Sequence, residues 1–513
     1  VTAQAQMIDL VAPGFRGINS AQSGSVLPPV FATEAQNCLL DSVGRLSARA
    51  GYTDQTTTSI TPAVDVLSIH EYRKGDGTRS LVCSWDGGIA DSIIDPEGND
   101  ISGVVTDTSG NWWFQNFNDK VIGFIDGQKP IVYSGTGTFA TVVESSGTAP
   151  AVTNGIALCA YGRVWAVAAD GVTINYSGLL DETDWGGVGA GSIDFSNIWT
   201  AGTDSIKAIA AFNAGLIVFG NNHVIFITDG AGSAIGVDPS NIYVSDIITG
   251  TGCMSQWSVQ PVGESDLLFL SRNGVQSLAR LIIDKSNPLT NQSLKVRSQL
   301  LGDARSEDPL AIRSFYSPEI GVYGITFPVS GRTWVLDQRY KYQDEERNEL
   351  APVTNWTLAP SAWCVRDNED ILLGVLQGVG LYGGNDDDGA TFRFKWQSPW
   401  LNFGEQLNNR LKILKRMSAI LFVQDEADIL FKWGTDFENN FKSKTRSVTG
   451  DGGSEFGIAE FGIGEFSGGL SLRIIKINAS ESAQYFRFAI EGDITGTFAL
   501  QQLELFAKIG RLA

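Results

Sequence analysis

The sequence predicts an all-β protein: a β-propeller of six or seven blades, plus a β-sandwich-like platform domain formed by the chain termini. Three observations carry this expectation. An apolar run, a tight turn and a second apolar run recur seven times between Val66 and Gly380. The turn residues Gly77, Gly127, Gly171, Asn222, Gly274, Gly331 and Gly380 lie 44 to 57 residues apart, a period that suits a four-stranded blade. Beyond Gly380 the texture changes to strict alternation, as in Tyr485-Phe486-Arg487-Phe488-Ala489-Ile490, which puts one face in a core and one in water.

The elements follow in order. Residues 1–65 read as loop-like, with Pro13-Gly14 and Pro28-Pro29 breaking any long element, and are expected to join the platform. Residues 66–394 hold the repeats. Asp126-Gly127, Asp170-Gly171 and Asn273-Gly274 are pairs that accept positive φ at both centre positions of a hairpin turn. Their flanks are Val, Ile, Leu, Phe, Trp and Tyr, which fit a pleated surface. Leu216, Ile217, Val218 and Phe219 are consecutive, so that strand is expected to be covered on both faces. A hairpin cannot do this alone, whereas blades leaning on each other can. The competing arrangement is a set of β-meanders in two sandwiches. Residues 395–513 carry further strands, at Leu414–Phe422, Ile429–Trp433, Leu472–Ile477 and Phe498–Phe506.

Length and composition bound the function. A chain of 513 residues exceeds a single core, and 43% hydrophobic residues are enough to fill several. With Lys+Arg 37 against Asp+Glu 57, the net charge of −20 opposes binding by phosphate neutralisation but suits a wall past which DNA slides. Cys38, Cys83, Cys159, Cys253 and Cys364 are odd in number and scattered, so free thiols in a reducing cytoplasm are expected rather than a disulfide framework. Val1–Leu10 has no basic start and no apolar core, so no secretory signal is expected. No apolar run reaches the ~20 residues of a membrane helix.

The search for chemistry returns little. His70 and His223 sit in or beside apolar strands without the neighbours a metal site or triad needs. The one G-x-G-x-x-G, at Gly378, Gly380 and Gly383, runs into Asn385-Asp386-Asp387-Asp388, which would repel phosphate, so it reads as a hairpin turn. That Asp run lacks the spacing of a calcium loop and reads as a solvated acidic turn. Asp181, Glu182 and Asp184 are too close on one loop to flank a sugar and read as a polar turn before Trp185. Neither catalysis, a cofactor nor a metal is expected. Trp112, Trp113, Trp356 and Trp363 are either blade core or a surface for stacking on sugars.

Two features point to partners. Arg410, Lys412, Lys415 and Arg416 form a basic cluster in which Arg410, Lys412 and Arg416 share one strand face. It is either solvated or placed against an acidic partner surface or DNA. Glu455-Phe456-Gly457, Glu460-Phe461-Gly462 and Glu465-Phe466-Ser467 repeat every five residues, a period of neither helix nor strand. Phe456, Phe461 and Phe466 either pack within their own domain or form an arm that docks on a neighbouring subunit.

Several stretches carry a resemblance. They are Tyr161-Gly162-Arg163-Val164-Trp165-Ala166-Val167, Ile174-Asn175-Tyr176-Ser177 and Asp184-Trp185, with Asn37-Cys38-Leu39-Leu40-Asp41 and Gly44 to Tyr52 upstream. With the end from Phe498 to Lys508-Ile509-Gly510-Arg511, the chain resembles the tail nozzle, or head-to-tail stabilisation (tail tubular), proteins of short-tailed bacteriophages. The resemblance implies a homo-oligomer of six copies in a ring below the portal and an adaptor (connector) protein. It implies a propeller in each copy, and a platform made from both termini. Genomic DNA would pass through the ring without specific binding, and tail fibre, spike or needle proteins would attach outside. The location implied is the tail of the virion, after synthesis in the host cytoplasm. A different class also fits the sequence: a carbohydrate-binding or carbohydrate-active propeller for host receptor recognition.

Overall fold

Seven small antiparallel sheets stand around one axis in the computed structural model, in chain order and each packed on the next. The structure describes residues 3–11, 14–57, 59–91, 99–100, 109–200, 202–263, 266–283, 291–345, 348–404, 407, 410–424, 426–438, 440–449 and 471–512. The inner strands of blades 1 to 7 are Val66–Arg73, Trp113–Phe117, Val152–Ala160, Ala208–Phe212, Gln260–Val262, Arg313–Ser317 and Trp363–Val365. The protein is therefore a seven-bladed β-propeller with a fused β platform.

The packing explains the doubly apolar strands. In blade 4, Leu216 and Val218 enter the core shared with blade 3, beside Trp165 and Ile174. Ile217 and Phe219 point the other way, into the core shared with blade 5, beside Leu267 and Phe269. Period-two alternation thus divides one strand between two cores. The other interfaces repeat the pattern, for example Tyr72 with Phe114 between blades 1 and 2, and Val66 with Leu372 between blades 7 and 1.

The turns depart from expectation in an instructive way. Gly127, Gly171 and Gly274 do have positive φ, at 73°, 70° and 114°, but the Asp or Asn before each does not. At Gly77, Gly171 and Gly331 the amide N–H closes a turn onto the carbonyl three residues back, and glycine alone takes the left-handed conformation that follows. Pairs with positive φ at both positions occur elsewhere: Asn118-Asp119, Tyr161-Gly162 and Asn213-Ala214, each joining the first two strands of a blade. Gly380 lies inside the strand Gly378–Tyr382, and the turn falls at Leu376-Gln377, where Gln377 has φ 63°.

The ends of the chain complete both regions. Tyr52–Asp54 pairs with Gly378–Tyr382 as the fourth strand of blade 7, so the N-terminal segment closes the ring as well as joining the platform. Among the described residues blade 5 has three strands, followed by a helical stretch that includes Arg297–Ser306. Blade 6 does not stop at its fourth strand, Val353–Trp356. Its sheet continues through Glu34–Gln36 to Phe392–Gln397, Phe486–Ile494, Ala427–Thr435 and Lys442–Val448, nine strands in all. The expected boundary at residue 394 therefore cuts a continuous sheet.

A second sheet faces this one. Its backbone is Phe498–Leu512, paired on one side with Arg410–Val423 and on the other with Leu46–Ala48 and Ala3–Asp9. Ser471–Ala483 flanks Arg410–Val423. Between the sheets lies one core, in which Trp396, Phe431, Leu421 and Leu505 meet Ile325, Trp334 and Leu300 of blade 6 and its preceding helix. Among the described residues no helix is long and apolar enough to cross a membrane.

Candidate functional site

Two places concentrate features beyond folding: the platform edges and the propeller axis. The joint between platform and propeller defines how they are held. Asn37 sits in a left-handed conformation (φ 53°), and its side chain donates to Arg393 O and Thr357 Oγ1. Arg49 Nε donates to Asn37 Oδ1 at 3.0 Å, and its two terminal nitrogens grip Asp387 at 2.7 and 2.6 Å. The buried guanidinium also lies 4.0 Å over the Phe392 ring. The Asp386–Asp388 run is thus bound up within the chain: Asp387 by Arg49, Asp386 by the Gly389 amide and Asp388 by the Asp54 amide.

The basic cluster is not a single face. The strand Arg410–Val423 shifts register between Arg410 and Lys412 and again between Leu414 and Arg416. Each bulge moves the following side chain to the other face. Lys412 is consequently buried, donating to Gln484 O at 2.8 Å, with its ammonium 5.9 Å from the Tyr485 ring. Burial lowers its pKa. Arg410 is exposed, and Arg416 lies half-buried with its guanidinium 4.4 Å over Phe506. Phe456, Phe461 and Phe466 lie outside the described residues.

The sheet edges differ in character. Lys442–Val448, at the end of the nine-stranded sheet, exposes Lys442, Lys444 and Arg446, a charged edge that resists pairing. Ser471–Ala483 and Ala3–Asp9, at the edges of the second sheet, instead expose Leu472 (52%), Ile474 (56%) and Met7 (58%).

The axis is closed by side chains. Arg313, the first residue of blade 6's inner strand, crosses it. Its nitrogens donate to Leu67 O in blade 1, Leu310 O, Ile312 O and, at 2.7 Å, Asn111 Oδ1. Its guanidinium stacks 4.1 Å over Trp257, and Trp257 meets Trp113 edge-on with ring centres 4.7 Å apart. Burial lowers the Arg313 pKa to about 9, with Asp308 opposing at longer range. Beside it, Gln256 pairs with Ile209 through both its amide oxygen and nitrogen, linking blades 4 and 5 as a backbone would.

The remaining candidates serve the fold. His223 Nδ1 lies 2.7 Å from Asp204 Oδ2, both buried. Burial pushes the Asp204 pKa up, but hydrogen bonds from His223 and from Asn222 and Asn221 outweigh it and hold the group at about 2. Glu182 pairs with Lys120 of blade 2, while Asp181 and Asp184 accept the turn amides of Thr183 and Gly187. Trp112 and Trp356 are fully buried core, and Trp363 Nε1 donates to Thr326 Oγ1. Arg163, from the Tyr161-Gly162-Arg163 stretch, donates to the carbonyls of Gly236, Ser177 and Gly189 and so ties blade 3 to neighbouring loops. All five cysteines are free thiols. Among the described residues, no three His, Cys, Asp or Glu side chains are grouped to hold a metal ion.

Fold and site together define a β-propeller protein with a plugged axis and an interlaced platform. No family model matches the chain, and no curated protein matches it. Among solved structures it is similar to the extracellular domain of BT4673 from B. thetaiotaomicron, at 9% identity and TM-score 0.40 over 89% of this chain and 62% of that one. The chain thus spans less than two thirds of that structure's length. It is also similar to the WD40 β-propeller domain of Doa1 (10% identity, TM-score 0.34, 64% of this chain and 96% of that one). A streptogramin B lyase is similar at 8% identity and TM-score 0.34, over 63% of this chain and 95% of that one.

Proposed function

We propose that this chain is a structural subunit of a short-tailed bacteriophage tail, forming a closed ring of six copies below the adaptor that extends the DNA channel. The observation that carries the reading is the platform. Both chain ends are woven into a two-sheet unit fused to blade 6, and its second sheet ends in strands that pair with no further strand among the described residues and that expose Leu472, Ile474 and Met7. Exposed apolar side chains on an open edge are satisfied by partner chains, and closed cyclic symmetry satisfies every copy alike. The plugged axis supports the same reading, because a DNA passage must then lie between copies. The net charge of −20 suits a wall that does not hold DNA. The sequence resemblance to tail nozzle proteins supplies the location in the virion.

The test is native mass spectrometry and electron microscopy of the purified chain, alone and with its adaptor ring. Six-fold rings are the expected outcome. A chain that stays monomeric with the adaptor present overturns the proposal. Saturable glycan binding at micromolar concentration would instead support the receptor-recognition alternative, for which the axial pair Trp113 and Trp257 is the specific attraction.

A further inference from the structure

The propeller axis holds more positive charge than a fold needs. Two chambers open on it, one on either side of Trp257. The first, of about 370 Å³, is lined by Lys207, Arg272 and Asp308 among neutral groups. The second, of about 420 Å³, is lined by Arg73, Arg313, Arg366 and Asp367. The lining cations outnumber the lining anions, in a chain whose acids outnumber its bases by 57 to 37.

The excess resides at the centre. At the rim, Arg73 is paired with Asp367 and Glu71, and Arg366 with Glu71 and Asp370. Arg313 is different. Its donors are taken up by carbonyl and amide oxygens, and among the described residues no carboxylate lies within ion-pair distance of it. Neutral acceptors satisfy the hydrogens of a guanidinium but leave its charge in place.

Two further groups in the second chamber have unmet polar atoms. Trp113 Nε1 is a buried indole N–H with no acceptor among the described residues, and the Trp113 ring rests on the same Trp257 that stacks on Arg313. His70 Nε2, on the inner strand of blade 1, is buried and equally without a partner there. A buried donor left unmade is costly. An unbalanced cation, a spare N–H and a spare imidazole nitrogen are therefore gathered around one cavity between rigid inner strands.

We infer that the propeller axis is a binding site for a small oxyanion, a carboxylate or phosphate group, which accepts the Trp113 Nε1–H and balances the charge of Arg313. The site needs one propeller only, so it stands or falls independently of ring assembly.

The experiment is isothermal titration of the full chain with inorganic phosphate and, separately, with acetate, using neutral glucose as a control. Saturable binding of at least one anion is expected, and the tighter of the two identifies the group the cavity is shaped for. Trp113→Phe keeps an aromatic ring and removes the N–H, and is expected to weaken that binding about tenfold in a chain that still folds. Arg313→Gln is expected to abolish it; should that variant fail to fold, Trp113→Phe decides alone. No saturable anion binding overturns the inference. So does anion affinity unaltered in Trp113→Phe, or binding of glucose alone.

Discussion

The propeller and the platform use the same β-strand in opposite ways. Propeller strands are short, such as Gly215–Phe219, and bury both faces, so each sheet is divided between two cores. Platform strands are long, such as Arg410–Val423 and Phe498–Leu512, and direct one face into a single core. The propeller closes on itself, whereas the second platform sheet ends, among the described residues, in edge strands without a further partner. The difference teaches where each task belongs. Closure gives a rigid body with an enclosed axis, and openness gives a surface that seeks partners.

The comparison breaks first at the joint. Arg49→Met leaves Asp387 without its bidentate partner and removes the Nε–H that Asn37 Oδ1 accepts. The expected loss is ~3 kcal/mol, read from the denaturant midpoint. If stability is unchanged, the joint is not what holds the two regions together.

Core truncation sharpens it next. Phe219→Ala in the blade 4–5 core and Leu505→Ala in the platform core should each cost about 2–4 kcal/mol. Because blade 6 and the platform share a sheet and a core, calorimetry should show one transition that moves in both variants. Two transitions, each answering to one variant, would make the regions separate folding units.

Acid probes the propeller at Asp204. Asp204 has its pKa held at about 2, below its ordinary value of 3.8, so it contributes stability above about pH 4 that is lost as pH falls through 2. Asp204→Asn should lose about 2 kcal/mol at neutral pH and show a flatter acid unfolding curve between those limits. The smallest effect on stability belongs to the open edge. Leu472→Ser with Ile474→Ser should change unfolding by no more than about 0.5 kcal/mol yet weaken assembly about tenfold, measured by sedimentation.

How much of this was readable follows from the same contrast. Local patterns were: the run Leu216–Phe219 announced two-sided burial, and the alternation at Tyr485–Ile490 announced a one-sided sheet. Non-local events were not. Lys412 reads as solvent-facing until the bulge between Arg410 and Lys412 turns it inward, and bulges carry no reliable residue signature. Glu34–Gln36 is three residues long, too short for any periodicity, yet it welds blade 6 to the platform. The turn pairs containing Asp-Gly signalled hairpins correctly but not their type, because a glycine following an ordinary turn satisfies the same geometry as a pair with two positive φ values. At the axis, Trp113 and Arg313 are 200 residues apart, and no spacing rule links them.

Closing blade 7 with Tyr52–Asp54 has a consequence for how the protein is made. The partner strand, Gly378–Tyr382, leaves the ribosome more than 300 residues after the segment that must dock on it. At about 5–20 residues per second, the beginning of the chain waits on the order of tens of seconds, and longer still for Phe498–Leu512 to receive Ala3–Asp9. Blades 1 to 4 can stack as they emerge, but the ring is sealed only once Gly378–Tyr382 has been made and Tyr52–Asp54 docks on it.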